Sequence, residues 1–391
     1  MIWINFLHLY QPANTDPYVV KEATEKSYKW LVKILEDNPE INFTFNITGC
    51  LVLRWRELGY FSLIKKIKEL VEKGQIELTG SASHHPLLPL IPAEEARAQI
   101  EENTEILKDN FGQNLKLRGF FLPEMAYGRH TAKIVKECGF EWIILDELAY
   151  NGTLRRTPQA GKVCEDLDSG LKVIFRNRGP SSDYVPRCIL SELEKGEKNK
   201  VIVTATDGEL YGLRHVDKKG EFNELLGKNS LSAPTISDYI DEQQDLENKR
   251  LTACSWESTE KELKGGTPYF LWYNRKNKIH CYLWKLARLA YDVSIKYNRD
   301  NNHQWTRWHL KRGLASCAFW WASAKDFSHI FGPYAWNPDE IERGVNELIR
   351  SVRSVENKKS AKEKVRAEKL YIKIKKMIWK HHWTYYWHKQ Q

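Results

Sequence analysis

Nowhere in the 391 residues does an apolar run approach the roughly 18–20 that a transmembrane helix requires. The apolar start, MIWINFLHLYQP, has no basic n-region and no A-x-A-like cleavage site, so it reads as a first strand and not as a signal peptide. There is no internal repeat and no low-complexity segment. No two cysteines have the spacing C-x-x-C. The seven (Cys50, Cys138, Cys164, Cys188, Cys254, Cys281 and Cys317) are scattered and odd in number. That pattern fits free thiols in a reducing cytoplasm better than a disulfide frame or a zinc site. Excess charge is also missing from most of the chain. Of the net +9, all is accounted for by residues 358–391, with eleven Lys/Arg against two Asp/Glu, which leaves residues 1–357 neutral. Acids are interspersed in that basic stretch and no nucleic-acid motif accompanies it, so it reads as a solvated helix face. Neither nucleic acid nor a membrane is an expected partner, and the oligomeric state is not legible.

Aromatic residues, by contrast, are abundant: 15 Trp, 18 Tyr and 14 Phe. Most must fill the core of a chain this long. On a neutral body they also suit a neutral polar ligand with apolar faces, such as a sugar ring.

Short β-like runs alternate with amphipathic helices through the first 205 residues. The expected strands are Ile2–Leu7, Asn42–Ile47, Gln75–Leu78, Leu117–Phe121, Trp142–Leu145, Lys172–Phe175 and Val201–Ala205. They are short, apolar and bounded by Gly, Pro, Asn or charged residues, as buried parallel strands should be. Between them, Tyr28, Leu31, Val32 and Leu35 keep helical spacing, as do Leu63, Ile64, Ile67, Leu70 and Val71. Pro92 precedes AEEARAQIEENTEIL, with acids in the first turn. Repeated βα units imply an α/β fold, a parallel sheet closing into an incomplete (β/α)7 barrel over residues 1–270, with a polar excursion near 216–250. Helices are expected near 276–297, 304–325, 338–356 and 360–388. They would form a C-terminal helical bundle over 271–391 that ends in a basic helix and closes one side of the cleft.

Barrels of this kind carry their chemistry after the C-terminal ends of strands. The informative polar residues fall there. His8 and Gln11 follow the first strand, Glu77 ends the third, and His84 and His85 come next. Glu124 follows the fourth strand, Arg176 and Asp183 the sixth, and Asp207 and Glu209 the seventh. Carboxylates far apart in sequence would converge on one rim, as a two-carboxylate glycosidase needs. Trp256, Trp320 and Trp321 are candidates for stacking on sugar faces, with a core role as the alternative for each.

The segments FLHLYQP, ELTGSASHHPLLPL, GFFLPEMAYG, TATDGELYG and LASCAFWWASA occur in the order of the five motifs of glycoside hydrolase family 57, which the chain resembles from residue 6 to residue 324. The resemblance implies a retaining enzyme, needing no metal and no cofactor, that acts on α-glucans in the manner of α-amylases or 4-α-glucanotransferases. It assigns the nucleophile to Glu124 and the general acid/base to Asp207. Substrate contacts would come from His8, Gln11, Glu77, His85, Arg176, Asp183, Glu209, Trp256, Trp320 and Trp321.

Two motifs depart from the family pattern: Tyr10 stands where the first carries a second His, and Ser316 and Cys317 stand where the fifth often has an acid or amide. These departures bear on linkage and chain-length preference. They also motivate the rival reading, a non-catalytic glucan-binding relative that keeps the barrel. A metal-dependent polysaccharide deacetylase is a further alternative, but no H-x-x-x-H pair is present to hold the ion.

Overall fold

A computed structural model of the chain describes residues 1–196, 199–323 and 336–386. The chain divides into two compact units: Met1–Ser83 with Leu88–Trp256, and His84–Leu87 with the residues from Glu257 onward.

Among the described residues the first unit contains nine strands: β1 (Ile2–Leu9), β2 (Phe43–Ile47), β3 (Ile76–Thr79), β4 (Gly119–Phe120), β5 (Trp142–Asp146), β6 (Val163–Asp166), β7 (Lys172–Arg176), β8 (Val201–Asp207) and β9 (Glu247–Lys249). They form two sheets, ordered β3-β2-β1-β8 and β4-β5-β7-β6-β9. All pairings are parallel except β6 with β7. Seven parallel strands thus correspond to the seven expected from sequence. The short β6 and β9 are additions that apolar periodicity did not reveal.

One seam between the sheets lies at the ends of β3 and β4. Gly80 N–H donates to the Gly119 carbonyl, and Phe121 N–H to the Gly80 carbonyl, both at 2.9 Å. Both glycines are required there. A Cβ on Gly80 would lie 2.3 Å from the Phe140 ring, and one on Gly119 would lie 2.0 Å from Trp142. On the other side, no ladder joins β7 to β8 among the described residues. Asn177, just past β7, spans the gap instead. Its backbone N–H donates to the Val203 carbonyl at 2.7 Å and its Oδ1 accepts the Val203 N–H at 2.9 Å. The barrel is therefore incomplete, as expected.

Strand alternation fixes which side chains face inward. In β1, Trp3, Leu7 and Leu9 join an outer core with the helical residues Leu31, Val32, Leu35, Leu51 and Trp55. Ile4 and Phe6 join an inner core with Phe121, Met125, Trp142, Ile144, Val203 and Ala205. His8 follows Ile4 and Phe6 on the inward face. Strand register then stacks the inward side chains in layers. One layer holds Asp207, His8, Asn46 and Thr79; the next toward the strand starts holds Ala205, Phe6, Thr44 and Glu77. The helix Ile236–Asp241 packs against the inner core through Ile236, Tyr239 and Ile240. The expected excursion at 216–250 therefore carries this helix, the helix Glu221–Leu226 and β9.

The second unit is helical: Lys278–Lys296, His303–Gly313, Ser316–Trp321, Pro338–Arg353 and Ala361–His381, besides shorter turns. The helix expected over 304–325 is two helices. The break comes at Ala315, whose backbone bridges Pro86 while the Ser316 N–H donates to the His85 carbonyl at 2.9 Å. The expected ends of that helix at 325 and of the last helix at 388 fall outside the described residues. No helix among the described residues is long and apolar enough to cross a membrane.

Candidate active site

The layer of Asp207, His8, Asn46 and Thr79 caps the inner core at the strand ends. His8 Nδ1 shares a hydrogen with Asn46 Oδ1 at 2.8 Å, and Asn46 Nδ2 donates to Thr79 Oγ1 at 3.3 Å. Burial holds the His8 imidazole below its usual pKa, against the pull of the Asp207 carboxylate in the opposite direction. Three aromatic rings surround it: Tyr10 stacks at 5.8 Å, Phe121 lies at 4.5 Å, and Trp256 meets it edge-on at 6.1 Å. Tyr10, the residue that departs from the motif, thus presents a ring to His8.

Glu124 sits in a tight turn after β4. Its backbone is left-handed, at φ 61° and ψ 19°, and Met125 follows at φ 46°. Such a conformation is unfavourable for residues with a Cβ. The turn is closed by Met125 N–H to the Leu122 carbonyl at 2.7 Å and by Ala126 N–H to the Pro123 carbonyl at 3.1 Å. Met125 is fully buried in the inner core, which anchors the turn from below. The Glu124 carboxylate accepts the indole N–H of Trp256 at 3.0 Å.

Trp256 is itself held from behind. Its carbonyl accepts Arg176 at 2.9 Å and Arg178 at 3.0 Å, and the Arg176 guanidinium lies 5.3 Å from the indole centre. Both arginines are charge-paired with Asp146, at 2.8 Å and 2.9 Å, at the end of β5. Asp146 is completely buried, so the two cations are what allow a charge there.

Asp207 is the last residue of β8, and Arg214 donates to its Oδ2 at 2.8 Å. Arg214 is delivered by a compact loop in which its own N–H donates to the Glu209 carbonyl at 2.8 Å. Glu209 is buried. Its carboxylate accepts Gln11 Nε2 at 2.6 Å and a short hydrogen bond from the Tyr28 hydroxyl. Burial, reinforced by the Asp207 charge, pushes the Glu209 carboxyl up to about 7, while Arg214 and the Tyr28 hydrogen bond oppose that rise.

The first unit therefore brings together His8, Gln11, Glu124, Asp207, Glu209 and Trp256. Three expected substrate contacts lie elsewhere in it. Glu77 is the second residue of β3, one layer below His8, about 7 Å along the strand direction. It accepts Thr44 Oγ1 at 3.0 Å, Ser237 N–H at 3.1 Å and the Ser237 hydroxyl, and so ties down the start of the helix 236–241. Arg176 is committed to Asp146 and to the Trp256 carbonyl, because a buried guanidinium must be paired. Asp183 is exposed and accepts the N–H of Tyr184 at 2.7 Å, ahead of the helix Val185–Glu194.

His85, Trp320 and Trp321 belong to the second unit. His85 is buried, has φ 55°, and its Nδ1 lies 3.0 Å from the Ser316 hydroxyl. Trp320 and Trp321 are half-buried on the helix Ser316–Trp321, with their rings edge-on at 4.7 Å.

Sequence reading passed over Tyr28, Asn46, Asp146, Arg178 and Arg214. Tyr28 passed as one more apolar residue of a helix stripe. Asp146 was the one with a signal, since a lone acid ending an apolar strand calls for a partner. Among the described residues, no group of three His, Cys, Asp or Glu side chains is arranged to hold a metal ion.

Comparison with known proteins bears on the family and the fold. The family model described as Glycosyl hydrolase family 57 matches residues 5–255. "Alpha-amylase 1" of Dictyoglomus thermophilum is 28% identical over 217 residues, covering 53% of this chain and 31% of that protein. A 4-alpha-glucanotransferase of Thermococcus litoralis is 28% identical over 265 residues, covering 61% and 38%. The chain thus spans about a third of the length of these curated relatives. Among solved structures, a branching enzyme from Thermococcus kodakaraensis superposes with a TM-score of 0.69 at 16% identity, covering 95% of each chain.

Proposed function

The chain belongs to glycosyl hydrolase family 57, and we propose on that basis that it cleaves α-glucan linkages with retention, passing the glycosyl group to water or to a sugar hydroxyl. Glu124 is the nucleophile and Asp207 the general acid/base. The observation that carries this reading is an unbroken line of contacts. Glu124 accepts the Trp256 indole, Trp256 meets the His8 ring, and His8 is in register with Asp207 on the adjacent strand. Two carboxylates from separate strand ends so flank one aromatic-walled patch.

In the first step a Glu124 oxygen attacks the anomeric carbon. The glycosidic C–O bond breaks, its electron pair leaves on the oxygen, and Asp207 supplies the proton to that oxygen. In the second step Asp207, now a carboxylate, takes a proton from water or an acceptor hydroxyl. The freed oxygen attacks the anomeric carbon and Glu124 leaves. Arg214, which donates to Asp207 Oδ2 at 2.8 Å, orients that carboxyl at the end of β8. His8, Gln11 and the exposed part of Trp256 would orient hydroxyls and rings. The cysteines are all free thiols, which fits a reducing compartment, and we place the protein in the cytoplasm.

The test is incubation with maltooligosaccharides, followed by product chromatography and by NMR of the newly formed anomer. Shorter sugars alone identify hydrolysis; longer and shorter together identify transfer. With azide present, E124A should give the inverted glycosyl azide and D207A the retained one. An E124Q variant with full activity, or a β anomer as first product of the unmodified protein, overturns the proposal.

A further inference from the structure

The basic C-terminal helix is not solvated uniformly. Several of its cations and their neighbours are paired: Arg353 with Glu368 at 2.6 Å, Lys375 with Glu342 at 3.1 Å, and Lys296 with Glu363. At one place three cations gather with a single carboxylate among them. The helices Lys278–Lys296 and Ala361–His381 border a cleft of about 360 Å³, within the size range of small-molecule sites. Tyr273, Trp284, Lys285, Arg288, Asp292 and Arg366 line it.

Two of these are aromatic and held in place or open to solvent. The Trp284 indole N–H donates to the Trp272 carbonyl at 2.9 Å, and its ring stacks on Phe319 at 4.2 Å, which fixes its plane. Tyr273 is one-third exposed. Three are cations. Lys285 lies 5.0 Å over the Tyr282 ring, and Arg288 reaches Asp292 only at 3.9 Å. Among the described residues, Arg366 has no carboxylate partner. Three positive groups thus face the cleft against one carboxylate. Fork-shaped guanidinium groups match the oxygens of a phosphate, and fixed aromatic faces match the apolar face of a pyranose.

We propose that this cleft binds a phosphorylated sugar, with the ring against Tyr273 and Trp284 and the phosphate among Lys285, Arg288 and Arg366. It is a site separate in composition from Glu124 and Asp207 and does not depend on their assigned roles.

Calorimetric titration of the full chain with glucose 6-phosphate tests it, with glucose, inorganic phosphate and adenosine monophosphate as comparisons. Saturable binding at one equivalent, at least about tenfold tighter than glucose or phosphate, is expected. The double variant R288Q/R366Q should weaken it by about tenfold or more. The control K359Q/K362Q removes the same charge from the same end of the chain, outside the cleft, and should leave binding unchanged. Equal binding of inorganic phosphate, tighter binding of adenosine monophosphate, equal loss in both double variants, or no saturable binding each overturns the proposal. Cleavage of maltooligosaccharides by R288Q/R366Q, measured in parallel, reports on the Glu124 and Asp207 chemistry independently.

Discussion

Trp256 is fastened to Glu124 at two points: its backbone N–H donates to the Glu124 carbonyl at 3.1 Å, and its indole N–H donates to the Glu124 carboxylate at 3.0 Å. The first contact sets where the tryptophan lies. The second sets how the carboxylate points, and steadies its charge. A W256F variant separates them, since it keeps the backbone bond and the ring beside His8 and loses only the indole donor. A hydrogen bond to a charged group is worth about 1.5–3 kcal/mol. We expect kcat to fall by roughly ten- to hundredfold, with a smaller change in KM. Steady-state kinetics on a maltooligosaccharide decide it; an unchanged kcat would show that the indole does not act on the carboxylate.

Glu209 predicts a pH dependence of stability. Its carboxyl is raised from 4.5 to about 7 in the folded chain, mainly by burial. Between those values the folded state holds a proton that the unfolded state has released. Stability is therefore fully present below pH 4.5 and falls as pH rises toward 7, by up to about 3 kcal/mol for this group. In E209Q the proton is no longer exchanged. The difference in Tm between the unmodified chain and E209Q should shift against the unmodified chain across this window and level off above it. A difference that stays constant from pH 4 to pH 8 contradicts the raised carboxyl.

Asp146 predicts a stability effect without direct chemistry. It is buried between Arg176 and Arg178, and D146N would leave two guanidinium groups without the carboxylate charge that both are paired with. Removing one partner from a buried ion pair costs about 3–5 kcal/mol. Denaturant unfolding should show that loss. Activity should fall as well, because the two arginines hold the Trp256 carbonyl. A variant of near-normal stability would mean that water replaces the lost charge.

Much of the first unit was legible because its strands are buried on both faces. An apolar run such as Trp142–Leu145, bounded by charge on both sides, has few other readings. The strand Glu247–Lys249 is polar throughout and pairs only with β6 at the sheet margin, so no periodicity marked it. The break at Ala315 is set by Pro86 and His85, more than 200 residues away. Helical spacing cannot see such a contact. Chain order after a strand pointed to Glu124, Asp207 and Glu77, and of these Glu77 lies inside β3, one layer below the strand ends. Two residues of strand length keep a side chain on the same face and move it one layer down, and strand ends are the least certain part of a sequence reading. Arg214 was invisible for the opposite reason. Only the folding back of its loop onto Glu209 brings it to Asp207.

The left-handed turn at Glu124 has a consequence for how this position can drift. At an ordinary helical site alanine outranks glycine; at φ 61° the ranking reverses, because glycine alone is at ease there. Comparing E124G with E124A, both without a carboxylate, should therefore find the glycine variant more stable by roughly 1 kcal/mol. The backbone here favours glycine, and under the proposed mechanism it is the demand for a carboxylate that keeps glutamate in place. In a descendant freed from that demand, position 124 is where the sequence would first be expected to wander, and the direction of its wandering would record that bond-breaking had been given up.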